Sequence, residues 1–252
     1  MSHFFFSFVI AADLFVDVFF WMSAYLASYF LLIRLKEGQG SFRDWRTILR
    51  IYLHRIMRLL PTYMFALFFF WKFLVLFGGD GPMFYMYSTL TECSRFWIWH
   101  LTFLNNVIPW SSDDTCMPWT WYIANDMQFY LLVPLLTFLY YNRRRHFYYM
   151  FGGLLGICKL IQMIIILVND LSVSYFTYND EYWTIYYVKP YSRLPVFLIG
   201  VICGCSYYSL NYEDPDCMRV SKVLFVLRES KLKSIISALL GVLICFLMIL
   251  FM

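Results

Sequence analysis

The 252-residue chain is 62% hydrophobic and 23% aromatic, with only 14% charged residues and a formal net charge of +4. Soluble domains carry about 25% charged residues, and a globule of this size needs polar groups to cover its surface, so a single soluble core is excluded. The basic residues are spread along the chain and are not interleaved with aromatics on a groove, which argues against nucleic-acid binding.

The opening MSHFFFSFVIAADLFVDVFF lacks a basic n-region and a small-residue cleavage site, and so reads poorly as a signal peptide. Six apolar segments follow, over 14–33, 59–78, 119–141, 148–168, 193–210 and 234–252. Each approaches the ~20 residues that a helix rising 1.5 Å per residue needs to cross ~30 Å of hydrocarbon. Lipid offers no partner for free backbone N–H and C=O groups, so these segments are expected to be helices. The ten-residue alternation of a membrane β-barrel is absent. No Gly/Ser-rich or Pro-rich linker divides the chain and no internal repeat is visible. The expectation is an all-α, polytopic transmembrane bundle of about six spans, forming one integral membrane domain over 1–252.

The connections carry unequal charge. Residues 34–58 hold seven Lys/Arg, 142–147 hold three and 211–233 hold five, whereas 79–118 contain only Arg95 and 169–192 only Lys189. Basic loops stay cytoplasmic, which predicts the three rich connections inside and both chain ends outside the cytosol. The membrane is expected to be an endomembrane or the plasma membrane, and membrane lipids are the expected surroundings.

Seven cysteines are present. Cys93 and Cys116 share the long outer connection, where an oxidising compartment allows a disulfide; two unpaired thiols are the alternative. Cys158, Cys203, Cys205 and Cys245 sit in spans and read as small packing residues. Cys203 and Cys205 are too close together, and lack further ligands nearby, for a zinc site. No Walker or Rossmann motif occurs, and no metal or cofactor is expected. GGLLG at 152–156 reads as a close helix contact of the small-residue type.

Ionisable groups at membrane depth cost roughly 2.5–3.5 kcal/mol each on insertion scales and usually face a bundle interior or a cavity. Here they are Asp17, Lys72, Asp126 and Lys159. Within CMPWTWYIANDMQFYLLVPLL (116–136), Tyr122, Asn125, Asp126 and Phe129 follow i, i+3, i+4, i+7 spacing and share one helix face. Two readings stand: helix–helix glue with Asp126 bonded to Lys72 or Lys159, or a polar cavity wall. RIYLHRIMRLLPTYMF (50–65) brings His54, Arg55 and Arg58 together where the second span enters the membrane. They read either as a positive anchor at lipid headgroups or as a guanidinium cluster gripping the phosphates of a cytosolic ligand.

LFVDVFFWMSAYL, YLHRIMRLLPTYMFAL, WTWYIANDMQFYLLVPLL and VKPYSRLPVFLIGVICG occur in this order. Together they resemble the acyltransferase-3 family, in its branch typified by the nose-resistant-to-fluoxetine proteins. The resemblance runs from about residue 14 to 204; Trp119 to Pro134 is its most specific part, and the Arg55–Arg58 pair followed by Pro61 comes next. The Cys93 and Cys116 loop, with FLNN between, also fits that branch. The resemblance implies an integral membrane enzyme that moves an acyl group from a cytosolic thioester such as acyl-CoA, its donor substrate, to an acceptor. Arg55, Arg58 and His54 would lie on the donor side, and Tyr122, Asn125, Asp126 and Asp17 would line the inner cavity. It also implies a preceding span bearing a histidine general base, and further spans after residue 252. Neither is matched within this chain, since His3, His54, His100 and His146 lie in other surroundings. Where the family has a glycine after the serine of the first motif, this chain has Ala24. These departures leave a non-catalytic lipid- or small-molecule-handling protein of the same fold, or a truncated fragment, as the alternatives to an enzyme.

Overall fold

The computed structural model describes residues 12–38, 45–74, 92–110, 116–171 and 181–212, and these are all helix or connecting turn. The predicted sixth span, 234–252, lies outside the described residues. Helix α1 covers Ala12–Lys36, and α2 covers Trp45–Phe68, running on into a π-helical turn over Phe69–Leu74. The short α3 is Cys93–Leu101. A 3-10 turn at Pro118–Thr120 leads into α4, Trp121–Tyr130. Helices α5, Val133–Asn142, and α6, Arg144–Val168, follow. After a π-helical turn at Tyr182–Tyr187 comes α7, Pro190–Asn211. Among the described residues, five stretches are long and apolar enough to cross a membrane: Phe15–Lys36, Trp45–Phe73, Pro118–Asn142, Arg144–Val168 and Pro190–Asn211. The architecture is an all-α membrane bundle.

Two boundaries differ from the expectation. Residues 34–58 were predicted to form a connection, yet helix begins at Trp45, so Arg46, Arg50, Arg55 and Arg58 are helical. The tract TILRIYLHRIMRLL contains neither Gly nor Pro and is rich in straight-chain helix formers, so nothing in it stops a helix. Likewise the predicted connection at 142–147 contracts to Arg143, because α6 already starts at Arg144.

Prolines shape the helices, because a proline donates no hydrogen bond to the carbonyl four residues before it. Pro134 at the start of α5 coincides with the break at Leu131–Leu132 between α4 and α5. The Leu131 carbonyl at that break accepts the Tyr52 hydroxyl at 2.8 Å. Pro195 inside α7 leaves the Tyr191 carbonyl without its helical donor, and Gln162 of α6 supplies one at 2.8 Å from its Nε2. The buried amide of Gln162 is thus accounted for by a proline on the neighbouring helix.

The chain divides into two compact units, Arg34–Pro195 and Met1–Ile33 with Val196–Met252. In the latter, α1 packs on the Val196–Asn211 part of α7 through small residues. A Cβ on Gly200 would meet Ala24 Cβ at 2.7 Å and the Trp21 backbone, and one on Gly204 would meet Ser28 Oγ and the Tyr25 backbone. Ser28 is fully buried, and its hydroxyl donates to the Ala24 carbonyl at 2.9 Å. The close contact therefore falls on the glycines of GVICG. At Gly152, Gly153 and Gly156 of the predicted GGLLG contact a Cβ would meet nothing within 4 Å.

In the Arg34–Pro195 unit, α2 and α4–α5 run antiparallel: Tyr52 reaches Leu131, Arg55 reaches Asp126 and Tyr63 reaches the Thr120 side chain. Tyr63, Phe103, Ala124 and Met127 form one core cluster. Leu67, Cys93, Cys116 and Met117 form a second.

Candidate functional site

Helix α4 is buried on most of its circumference, including Ala124, Asn125, Asp126, Met127 and Phe129. Buried polar groups need partners, because an unsatisfied one loses its hydration with nothing in return. Each amide of α4 has them. Asn125 donates to the Val188 carbonyl at 2.9 Å and accepts from Asn106 Nδ2 at 2.5 Å. Gln128 donates to Asn106 Oδ1 at 2.7 Å and to the Phe103 carbonyl at 2.8 Å. Asn106 thereby bridges the two amides of α4, from the turn that follows α3.

Asp126, next along α4, forms an ion pair with Arg55 of α2. The Arg55 guanidinium also lies over the Tyr130 ring, 4.0 Å from its centroid. This corrects the expected pairing of Asp126 with Lys72 or Lys159. Lys72 is exposed and lies over the Trp71 ring, and Lys159 is exposed and bonds Gln162 at 3.1 Å. The physical reason is the early start of α2. Arg55 is ten residues into that helix, about 15 Å from its first residue, which brings it level with α4.

Of the three donor-side candidates, Arg55 alone is turned to α4. His54 and Arg58 are exposed on α2. Tyr122, half-buried, stands one turn before Asp126 on α4. Asp17 is half-buried on α1, in the other compact unit. Among the described residues no group of three His, Cys, Asp or Glu side chains could hold a metal ion.

Two buried groups near α4 were not singled out from the sequence. The Lys189 ammonium is 1% exposed. It donates to the carbonyls of Asn106 and Trp110 at 3.0 and 3.1 Å and lies 3.9 Å from the centroid of the Trp110 ring. Burial pulls its pKa down to about 8. Its signals were its place in the VKP tripeptide that enters α7 and its being the sole basic residue of 169–192. His100 of α3 is likewise 1% exposed. Its Nδ1 meets the Tyr63 hydroxyl at 2.5 Å, and a second bond joins it to the Cys116 backbone. Burial pushes the imidazole down to about 4, against the opposing pull of that backbone bond. Asn105, whose Nδ2 donates to Thr120 Oγ1 at 3.0 Å, extends the same network. A disulfide joins Cys93, at the start of α3, to Cys116, so α3 and the turn that enters α4 are covalently linked beside His100.

A sequence profile of the acyltransferase domain, of the acyltransferase-3 type, matches residues 1–252. The chain belongs to the acyltransferase-3 family. It is 31% identical over 221 residues to nose resistant to fluoxetine protein 6 of Caenorhabditis elegans, an alignment that covers 81% of this chain and 26% of that protein. It is 25% identical over 240 residues to regulator of hypoxia-inducible factor 1 of the same organism, covering 83% of this chain and 43% of that protein. The chain thus spans less than half the length of these curated relatives. No solved structure matches it. Family membership supports acyl transfer in general, and the five apolar helices support an integral membrane protein.

Proposed function

We propose that this chain is a membrane-bound acyltransferase domain that takes an acyl group, not an aminoacyl group, from an acyl-CoA-like cytosolic donor and passes it to an acceptor. The observation that carries this reading is the buried polar face of α4, paired through Asp126 and Arg55 to the helix that also displays Arg58 and His54. A buried carboxylate and a buried amide, Asp126 and Asn125, with the half-buried Gln128 beside them, are expensive at membrane depth, and such groups usually serve a path or a site. Arg58 and His54 supply an exposed cationic patch suited to the phosphates of the donor, since a guanidinium fork matches phosphate oxygens bidentately. Tyr122, Asn125 and Asp126 line the route by which the acyl group leaves that patch.

Donor binding tests the reading. Coenzyme A binding is measured on the chain in nanodiscs, for wild type, Arg58→Gln, Arg58→Lys and, as control, Arg145→Gln, whose side chain is exposed on α6. A lost charge-assisted contact is worth roughly 1.5–3 kcal/mol, so Arg58→Gln should weaken binding about ten- to a hundredfold, with Lys recovering part. Equal small losses for Arg58→Gln and Arg145→Gln would mean that the cluster is a topological anchor.

A further inference from the structure

We propose that Asp126 competes internally with the donor for Arg55: its carboxylate holds the guanidinium in the resting protein and is displaced when a diphosphate-bearing ligand arrives. The proposal rests on the reading that the donor enters at Arg58. Residues three apart on a helix lie roughly 5–6 Å apart, so a ligand with two or more phosphate charges seated on Arg58 also falls within reach of Arg55. Arg55 already has an anionic partner. Its side chain keeps 22% of its surface open whereas that of Asp126 keeps 10%, so a newcomer meets the guanidinium first.

Carboxylate and phosphate use the same planar fork of N–H donors. They also repel each other, and two like charges a few ångströms apart in a poorly hydrated site oppose each other's ionisation. The two anions are therefore antagonists at Arg55, and linkage makes the effect mutual: whatever Asp126 takes from donor affinity, the donor takes from the ion pair. The resting pair keeps Arg55 neutralised and stacked on Tyr130. Displacement leaves the Asp126 carboxylate on the helix face it shares with Tyr122, one turn away. A bound donor would thus be coupled to a freed carboxylate on the polar face, at the point where an acceptor must lose a proton.

The test is the sign of one substitution. Coenzyme A and, separately, inorganic pyrophosphate are titrated against wild type, Arg58→Gln, Arg55→Gln, Asp126→Asn and the Arg55→Gln/Asp126→Asn double variant, each in nanodiscs. Competition requires Asp126→Asn to bind coenzyme A more tightly than wild type, about tenfold, and requires that gain to vanish when Arg55 is already Gln. If Arg58→Gln weakens binding while Asp126→Asn leaves it unchanged or weaker, the competition is wrong and the donor site stands. If neither arginine substitution changes the affinity, the donor reading falls and this proposal falls with it. Asp126→Asn leaves a half-buried guanidinium without its carboxylate, so the wild-type protein supplies a second measurement. A membrane-permeant carbodiimide modifies carboxyl groups in apolar surroundings, and peptide mapping reads the rate at Asp126. Coenzyme A should raise that rate, and an unchanged or lower rate overturns the proposal.

Discussion

Lowering the pH should unfasten the α2–α3 contact of the Arg34–Pro195 unit through His100. Its imidazole is 1% exposed, and burial holds its pKa at about 4 against 6.5 for a free histidine. In the unfolded chain His100 takes up a proton near 6.5, whereas in the folded chain it resists down to about 4. The unfolded state therefore binds more protons over this window, and stability falls as pH drops through it. From pH 7 to pH 5 the linkage amounts to about 2 kcal/mol. The structural expression of the loss is the Tyr63–His100 bond, which ties α2 to α3. A protonated Nδ1 can no longer accept the phenol proton. The assay is chemical or thermal unfolding in detergent at pH 7, 6 and 5, comparing wild type with His100→Gln. Gln is neutral throughout, so the difference between the two acid slopes isolates His100 from the carboxylates, which titrate in both. Wild type should lose more stability than His100→Gln, by about 2 kcal/mol at pH 5. Parallel slopes would refute the reasoning, because they would mean that His100 is not held neutral by its surroundings.

Three further outcomes follow from the geometry. Lys189 has a folded pKa of about 8 against 10.5 unfolded, so the folded state prefers the neutral amine and stability should rise by about 1 kcal/mol from pH 7 to 9; Lys189→Met, measured by the same unfolding assay, should remove that rise. Reducing the Cys93–Cys116 disulfide should destabilise the unit by roughly 3 kcal/mol in the chain-entropy model, read as a lower unfolding midpoint in reductant; Cys93→Ala/Cys116→Ala should match the reduced protein and ignore reductant. Gly204→Leu should drive a side chain into Ser28 and the Tyr25 backbone and sharply lower folded yield, whereas Gly153→Leu, with open space before it, should leave yield unchanged.

Elements of the bundle were legible because hydrophobic length speaks for itself. The segment predicted over 193–210 appears as Pro190–Asn211, and that over 148–168 as Arg144–Val168. Family membership was legible from the order of four motifs, of which the run from Trp119 to Pro134 is the most specific. Partners were not legible. Asp126 and Arg55 lie 71 residues apart, and helical spacing reports neighbours only within one helix. Arg55 had also been assigned to a connection, since basic residues near a span entrance look interfacial until the helix start is known. Lys189 looked like a stray charge in an outer connection, because a cage of two carbonyls and an indole face leaves no pattern in the sequence. The glycine contact was misplaced for a related reason. GGLLG and GVICG both place glycines four residues apart, and only the neighbour that each meets distinguishes a packed stripe from an open one.

Transfer of an acyl group is the central claim, and it is tested most directly by following the group itself. The chain, expressed in membranes, is supplied with acetyl-CoA carrying a radiolabelled acetyl group; release of coenzyme A thiol and appearance of label in lipid, glycan and protein fractions are followed together. The account predicts time-dependent label in an acceptor fraction matched by thiol release, reduced by Arg58→Gln and retained by Arg145→Gln. No transfer above empty membranes from any acyl-CoA chain length, by protein that still binds coenzyme A, would contradict it and leave the non-catalytic reading of this fold.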